Sequence, residues 1–437
     1  MKVLKFGGTS VGSAQKIAKL LDILNPEERQ IVVLSAVAGT TNALVEIGRS
    51  FLNARKNEAL EKSKALEKQY EALIQELFTT EEGAKQGKQL IDHHFQLIKN
   101  MANHPFTAKE EKIILAQGEL ISTALFYFHL KEIGVEAVLL PALDFMKTDD
   151  NQEPIISYIE QNLGELLNAH PANKIFITQG YICRNHFGEI DNLRRGGSDY
   201  TASLIGTAIR ADEIQIWTDI DGMHNNDPRI VPNTKPITHL SFNEAAELAY
   251  FGAKILHPQS VFPAQKNNIP VKLLDTGNPS AKGTTISGEM REKGIIRAIA
   301  AKDDITAIHV HSTRMLMAYG FLRRVFEVFE RYKTPIDMIT TSEVAVSLSI
   351  DDISHLDKIV EELQDFGSVS VDRDQTIVCV VGDFGGNTHG YAYRVLDAVK
   401  HLPLRMISYG GSDYNISLLL DSEHKVEALR SLHNRLF

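Results

Sequence analysis

Two short apolar runs near the start of the chain break off into small residues and lead straight into helix-like sequence. Lys2–Phe6 is followed by Gly7 and Gly8 and then by an amphipathic stretch from Gly12 to Leu24. Gln30–Ser35 is followed by Ala36-Val37-Ala38-Gly39-Thr40-Thr41-Asn42. Further strands are expected at 135–140, 174–178 and 213–218. Strands that alternate with helices predict an α/β domain, a mostly parallel sheet with helices on both faces. In such sheets ligands sit beyond the carboxyl ends of the strands, which is where the small-residue turns fall.

The stretch from Asn53 to about Asn100 interrupts this rhythm. It is rich in Ala, Glu, Lys, Gln and Leu at helical spacing, and it predicts a helical pair inserted in the α/β domain with a solvated charged face. Asp92-His93-His94 reads as ordinary surface of that pair. Gly283–Arg297 reads as a boundary. Beyond it the sequence repeats with an offset of 70 residues: Gly320-Phe321-Leu322-Arg323 and Pro335-Ile336-Asp337 answer to Gly390-Tyr391-Ala392-Tyr393 and Pro403-Leu404-Arg405. Each copy has a strand before its glycine, a helix after it and a strand after its proline. Two small α+β modules of common design make a natural place for a regulatory ligand.

Length and charge bound the rest. A chain of 437 residues accommodates two or three domains. A net charge of −10 argues against a general nucleic-acid binder. Two cysteines far apart, Cys183 and Cys379, suggest neither a disulfide framework nor a zinc site. No apolar N-terminal leader and no run of about twenty apolar residues is evident, so a cytoplasmic protein without a membrane span is expected.

Several residue groups carry chemistry. Lys5-Phe6-Gly7-Gly8-Thr9-Ser10 places a cation on a strand that ends in glycines. Glycine lets backbone approach a phosphate, and a helix N-terminus offers N–H groups and partial positive charge. No Gly-Lys-Ser/Thr follows at the spacing of a Walker loop. Arg195-Gly196-Gly197-Ser198-Asp199 is a second glycine turn, entering a helix over 200–210. Arg195 offers a fork suited to a carboxylate; Asp199 is either a helix cap or a catalytic group. Glu119 lies in a strongly apolar helix over 111–130, where a carboxylate needs a partner: a ligand ammonium, or a salt bridge to a neighbouring strand. Trp217-Thr218-Asp219 ends a strand, and Asn226-Asp227-Pro228-Arg229 follows, a setting for adenine, ribose and phosphates. Lys254 is a further phosphate candidate. His309-Val310-His311 puts two rings on one strand face without a third ligand, so no metal site is read there.

Taken in order, these motifs resemble those of the aspartate kinases of the amino-acid-kinase fold. The matching stretches are Lys-Phe-Gly-Gly-Thr-Ser at 5–10, Ser-Ala-x-Ala-Gly-x-Thr-Asn at 35–42 and Gly-Glu-Leu-x-Ser-Thr at 118–123. Arg-Gly-Gly-Ser-Asp-Tyr-Thr at 195–201, Trp-Thr-Asp at 217–219 and Phe-Gly-Ala-Lys-x-Leu-His-Pro at 251–258 complete them. The resemblance implies a catalytic domain over 1–290 and paired ACT modules over 298–372 and 373–437, with strands exchanged between them. It implies ATP and Mg²⁺ as cofactors and phosphorylation of the aspartate β-carboxylate. Lys5 and Asp199 would be catalytic. Thr41, Glu119, Arg195 and Ser198 would hold aspartate. Lys5, Phe6, Gly7, Gly8, Ser35, Thr218, Asp219, His224, Arg229, Lys254 and Ile255 would line the ATP site. Met315, Gly320, Phe321, Leu322, Asp337 and Ser342 match the pattern of lysine-responsive members, so lysine rather than threonine is the expected effector. ACT modules of this kind imply a homodimer, and the chain's end after the second module implies a monofunctional kinase. The alternatives are another enzyme of the fold, such as a glutamate 5-kinase, and an amino-acid sensor with an inactive kinase domain.

The sequence departs from the family pattern at Arg194, where glycine is common, at His224, where many relatives have tyrosine, and at Met317, Ala318 and Tyr319 in the sensor module.

Overall fold

The computed structural model describes residues 1–437 except 194–195, 253–255, 289–293, 313–318 and 386–388. It divides into two units. One comprises Met1–Met223, Thr238–Phe242 and Leu256–Glu289; the other comprises His224–Ile237, Asn243–Ile255 and Met290–Phe437.

In the first unit the chain runs β1 (Lys2–Phe6), α1 (Ala14–Lys19), β2 (Gln30–Leu34), α2 (Thr40–Leu52), α3 (Lys56–Leu77), α4 (Glu81–Asn100), α5 (Ala108–Glu132) and β3 (Ala137–Leu139). Then follow α6 (Ala142–Phe145), α7 (Ile156–Asn168), β4 (Ile175–Gln179), β5 (Ile182–Arg184), β6 (Ile190–Asn192), α8 (Gly197–Ala208) and β7 (Glu213–Thr218). The sheet is completed by β8 (His239–Ser241) and, after α10 (Pro258–Lys266), by β9 (Val271–Asp275) and β10 (Thr284–Ser287); all of α9 (Phe242–Tyr250) but its first residue belongs to the second unit. Eight strands line up as β3-β4-β2-β1-β7-β9-β10-β8. The first six are parallel to one another; β10 runs antiparallel to β9 and pairs parallel with β8. The central strands are apolar on both faces: Val3, Phe6, Ile31, Val32, Val33 and Leu34 are wholly buried, as helices on both sides require. The strand order places β1 at the centre, beside β2 and β7, so the glycine turn after β1 opens among the carboxyl ends of its neighbours.

The inserted pair α3–α4 is more than a solvated appendage. Leu66, Tyr70, Ile74, Ile91, Phe95 and Ile98 join the same core as the sheet. His94, read from sequence as surface, turns inward: its Nδ1 lies 2.6 Å from Gln117 Oε1 on α5, and burial lowers its pKa. The helical period allowed either face, and tertiary packing chose the inner one. Among the described residues α5 is long and apolar enough to cross a membrane, but most of it is buried within the protein, as a core helix would be. Both cysteines are buried free thiols.

In the second unit the elements are β11 (Ile296–His311), α11 (Phe321–Arg331), β12 (Met338–Thr341), β13 (Ala345–Ile350), α12 (Leu356–Leu363) and β14 (Ser368–Gly382). They continue with α13 (Tyr391–Ala398), β15 (Leu404–Tyr409), β16 (Asn415–Asp421) and α14 (Lys425–Leu436). One antiparallel sheet results, ordered β12-β13-β11-β14-β16-β15. Its two central strands are long and bend at equivalent places: Asp304 and Asp374 both take positive φ, 61° and 55°, beside a break in register. They are separated by the repeat offset. The bend sends each strand into two cores. Ile296 and Ile299 of β11 pack with Val395 and Leu418, while Ile308 and Val310 of the same strand pack with Val325 and Leu348.

Candidate active site

Lys5 is the next-to-last residue of β1, and its side chain stands over the turn: a Cβ at Gly7 would lie 3.5 Å from Lys5 Nζ. Gly8 carries the closer constraint. A Cβ there would come within 2.9 Å of the Ala36 carbonyl oxygen, so the turns after β1 and β2 can touch only through glycine. Ala38 N–H donates to the Gly8 carbonyl at 3.1 Å and fixes that contact. Phe6 is buried and stacks on Trp217 at 6.1 Å, and Ser35 N–H donates to the Phe6 carbonyl, extending the ladder past the strand ends.

The second glycine turn arrives at the same edge on α8. Gly196 takes φ +77° and serves as N-cap without a side-chain hydrogen bond. The helix therefore begins at Gly197, earlier than sequence suggested, because glycine supplies the left-handed residue that admits the chain to the helix. Asp199 does not cap the helix. Its Oδ1 lies 2.7 Å from Lys5 Nζ, with the two side chains 14% and 12% exposed. Ser198 abuts Gly180: a Cβ at Gly180 would meet the Ser198 side chain at 2.5 Å.

Glu119 is 3% exposed on α5. Its Oε1 accepts from Ala36 N–H at 3.3 Å, and among the described residues its Oε2 has no hydrogen-bond partner. No cation pairs with it among those residues. Burial pushes its pKa up to about 8, with the Ala36 N–H pulling the other way. Gly118, just before it, lets α5 close on the turn after β2: a Cβ there would lie 2.8 Å from Ala36 Cβ and 3.2 Å from Thr40 Cγ2. Ser122 Oγ donates to the Ser35 carbonyl at 2.8 Å, a third tie between α5 and that turn. Thr41 is the second residue of α2, at the positive end of that helix dipole.

Thr218 ends β7, and its carbonyl receives both the N–H and the hydroxyl of Thr276. Its own hydroxyl donates to Asp219 Oδ1 at 3.2 Å. His224 and Arg229 belong to the second unit. There His224 Nδ1 lies 2.9 Å from Thr234 Oγ1, and the exposed Arg229 grips Asp227 through two hydrogen bonds of 2.9 and 2.7 Å. Arg195, Lys254, Ile255 and Met315 lie outside the described residues.

Of the sensor candidates, Gly320 is the left-handed N-cap of α11, Phe321 is buried and Leu322 is partly exposed. Ser342 turns the chain from β12 to β13. The Asp337 carboxylate is well enclosed: its Oδ1 receives Lys302 Nζ and the Tyr250 hydroxyl, each at 2.7 Å, and its side chain is 1% exposed. His309 is held by Ser347 and Asp372.

Sequence reasoning passed over the end of β4. Gln179 is buried, donates to Thr123 Oγ1 and accepts from Ala142 N–H, bracing α5 and α6. Tyr181 takes φ +66° and covers Gly197. The signal was available, since Gln179-Gly180 follows a predicted strand just as Gly7-Gly8 does.

The site thus unites a sheet edge, two glycine turns, a clamped lysine and a buried acceptor. The profile of the amino acid kinase family matches residues 1–275, and that of an ACT domain matches residues 378–436. The chain belongs to the amino acid kinase family. Within it the relatives are aspartokinases. The lysine-sensitive aspartokinase 3 of Escherichia coli is 33% identical over 447 residues, covering 100% of this chain and 99% of that one. The chloroplastic aspartokinase 3 of Arabidopsis thaliana is 34% identical over 468 residues, covering 100% and 81%. Two crystal structures of E. coli aspartokinase III have the same fold at 32% identity. The complex with aspartate and ADP (R-state) gives a TM-score of 0.85, covering 100% of both chains. The complex with lysine and aspartate (T-state) gives 0.83, covering 100% and 99%.

Proposed function

We propose that this chain is an aspartate kinase, which transfers the γ-phosphoryl group of ATP to the β-carboxylate of aspartate and forms 4-phospho-L-aspartate. The observation that carries the reading is the Lys5 ammonium, clamped by Asp199 beside Gly7. An acceptor carboxylate is already ionised at neutral pH, so the reaction needs no general base. Its difficulty is charge: an anionic oxygen must approach an anionic phosphoryl group. Lys5 and the backbone dipoles at the glycine turns offset that repulsion and hold the groups in line.

Glu119 is the receiver of the substrate ammonium, with Thr41, Ser198 and Arg195 assigned to aspartate by resemblance, Arg195 to its α-carboxylate. Thr218 and Asp219 serve the nucleotide, with His224, Arg229, Lys254 and Ile255 assigned to it by resemblance. Magnesium is taken up mostly through substrate phosphates and one or two carboxylates. The donors here suit that manner of binding, with Asp219 and Asp199 the carboxylates available to it. When bound, the ion neutralises phosphate charge.

The paired modules support feedback control, with lysine as the effector, in line with the lysine-sensitive relative. A homodimer formed through those modules and a cytoplasmic location complete the reading. A glutamate 5-kinase-like enzyme is disfavoured by the ACT pair, and an inactive sensor by the intact Lys5–Asp199 pair.

The test is an initial-rate assay with Mg·ATP and aspartate, trapping acyl phosphate with hydroxylamine, with lysine or threonine added. Aspartyl hydroxamate is the expected product, reduced by lysine. Turnover with glutamate alone would assign a sibling kinase, and no turnover with any acceptor would assign a sensor.

A further inference from the structure

Tyr70 sits in the inserted helix α3, 2% exposed, in a place where the ring alone would satisfy the core. It packs against Phe95 of α4 at 6.0 Å. A hydroxyl buried there costs free energy unless it is hydrogen-bonded. Its partner is Thr40, itself 2% exposed, with Tyr70 Oη and Thr40 Oγ1 2.9 Å apart. Thr40 is the first residue of α2 and the last before Thr41. The turn it closes is held from the α5 side by the Gly118 contact, by Ser122 and by Glu119. The Tyr70 hydroxyl braces the same turn from the inserted pair.

We infer that Tyr70 is a positioning residue for the amino-acid substrate, which places Thr41 by fixing Thr40, so that the helical insertion tunes substrate affinity. The inference rests on the aspartate-kinase reading. It gives the insertion a role that its charged, solvent-facing sequence did not suggest.

Tyr70→Phe keeps the ring and removes the hydroxyl; Thr40→Val removes the partner, and Thr40→Ser keeps it. The expected result for Tyr70→Phe is a KM for aspartate raised about five-fold, the worth of one neutral hydrogen bond. Its kcat and its KM for ATP should stay within about two-fold of wild type, less than the energy of one such bond. Thr40→Val should act alike, the double variant should be no worse than either single one, and Thr40→Ser should behave as wild type. An unchanged aspartate KM in Tyr70→Phe overturns the inference. So does a loss that falls equally on ATP and aspartate in step with the melting temperature, which would mark a structural role only. Failure of the wild-type protein to use aspartate would defeat the reading beneath it instead. The same variants would then be assayed against whichever acceptor the wild type does use, and an unchanged KM for that acceptor overturns the inference as well.

Discussion

Lys5 Nζ and Asp199 Oδ1 lie 2.7 Å apart, joining the end of β1 to the first turn of α8. The contact shows Asp199 paired with Lys5, and its side chain makes no capping hydrogen bond. A capping aspartate would turn back on its own helix; this one reaches across the sheet edge and holds the ammonium above Gly7. A flexible four-carbon side chain is thereby held in one place; in the proposed reaction its charge would cost little reorganisation during transfer.

Lys5→Ala should therefore lower kcat by about a thousand-fold or more, ~4 kcal/mol in barrier height. Circular dichroism and the melting curve should show a folded protein. Retention of more than about a tenth of the activity, under ~1.4 kcal/mol, would remove Lys5 from its role.

Glu119 predicts a pH effect of definite sign. Its folded pKa, about 8, lies above its ordinary value of 4.5 because burial disfavours the anion. Between those values the folded state binds more protons than the unfolded state, so this group's contribution to stability falls as pH rises from 4.5 through 8. Glu119→Gln should flatten the melting temperature against pH in that window, raise it near pH 8, and abolish measurable aspartate binding. In the wild type, an arriving ammonium favours the anion, so aspartate binding near pH 7 should release protons. Calorimetry in buffers of differing ionisation enthalpy would detect that release, and its absence would refute the ammonium assignment.

Gly118→Ala tests the packing behind the substrate turn. The added methyl would lie 2.8 Å from Ala36 Cβ. Overpacking of that kind costs about 1–3 kcal/mol, so the melting temperature should fall. The aspartate KM should rise more than the ATP KM, because the displaced turn carries Thr41. Equal effects on both substrates would contradict this.

Substitution at Asp337, a residue assigned to the sensor by resemblance, tests regulation apart from catalysis. Burial raises its pKa, while Lys302 and the Tyr250 hydroxyl pull it back down. Asp337→Asn should remove inhibition by lysine and leave kcat near that of wild type; undiminished inhibition would refute it. Lys302→Met should leave a buried carboxylate without its cation, a loss of about 3 kcal/mol. Because the carboxyl is then still harder to ionise, that loss should grow as pH rises, which melting curves at several pH values would show.

Much of the first unit was legible because its determinants are local. An apolar run followed by glycines names a strand end, and β1, β2 and β7 fall at or within a residue of their expected limits. What was not legible depends on which face of an element turns inward. His94 and Tyr70 sit in charged helical sequence whose period fits two orientations, and only the packing of α3 and α4 on α5 and α2 selects one. The Lys5–Asp199 contact was hidden for the related reason that it depends on strand order. Nothing in either segment says that α8 begins beside the end of β1. Ser198 and Thr41 were named by resemblance rather than by any physical signature of their own.

The shared strands β11 and β14 give the second unit an indivisible character. Each contributes one half to the core that holds Leu348 and the other to the core that holds Leu418. A fragment cut at residue 373 would leave both pieces with a torn sheet and half a hydrophobic interior. Disorder begun in one module must then spread to the other, as it does along a beam clamped at both ends. An effector that tightens either module raises the cost of opening both.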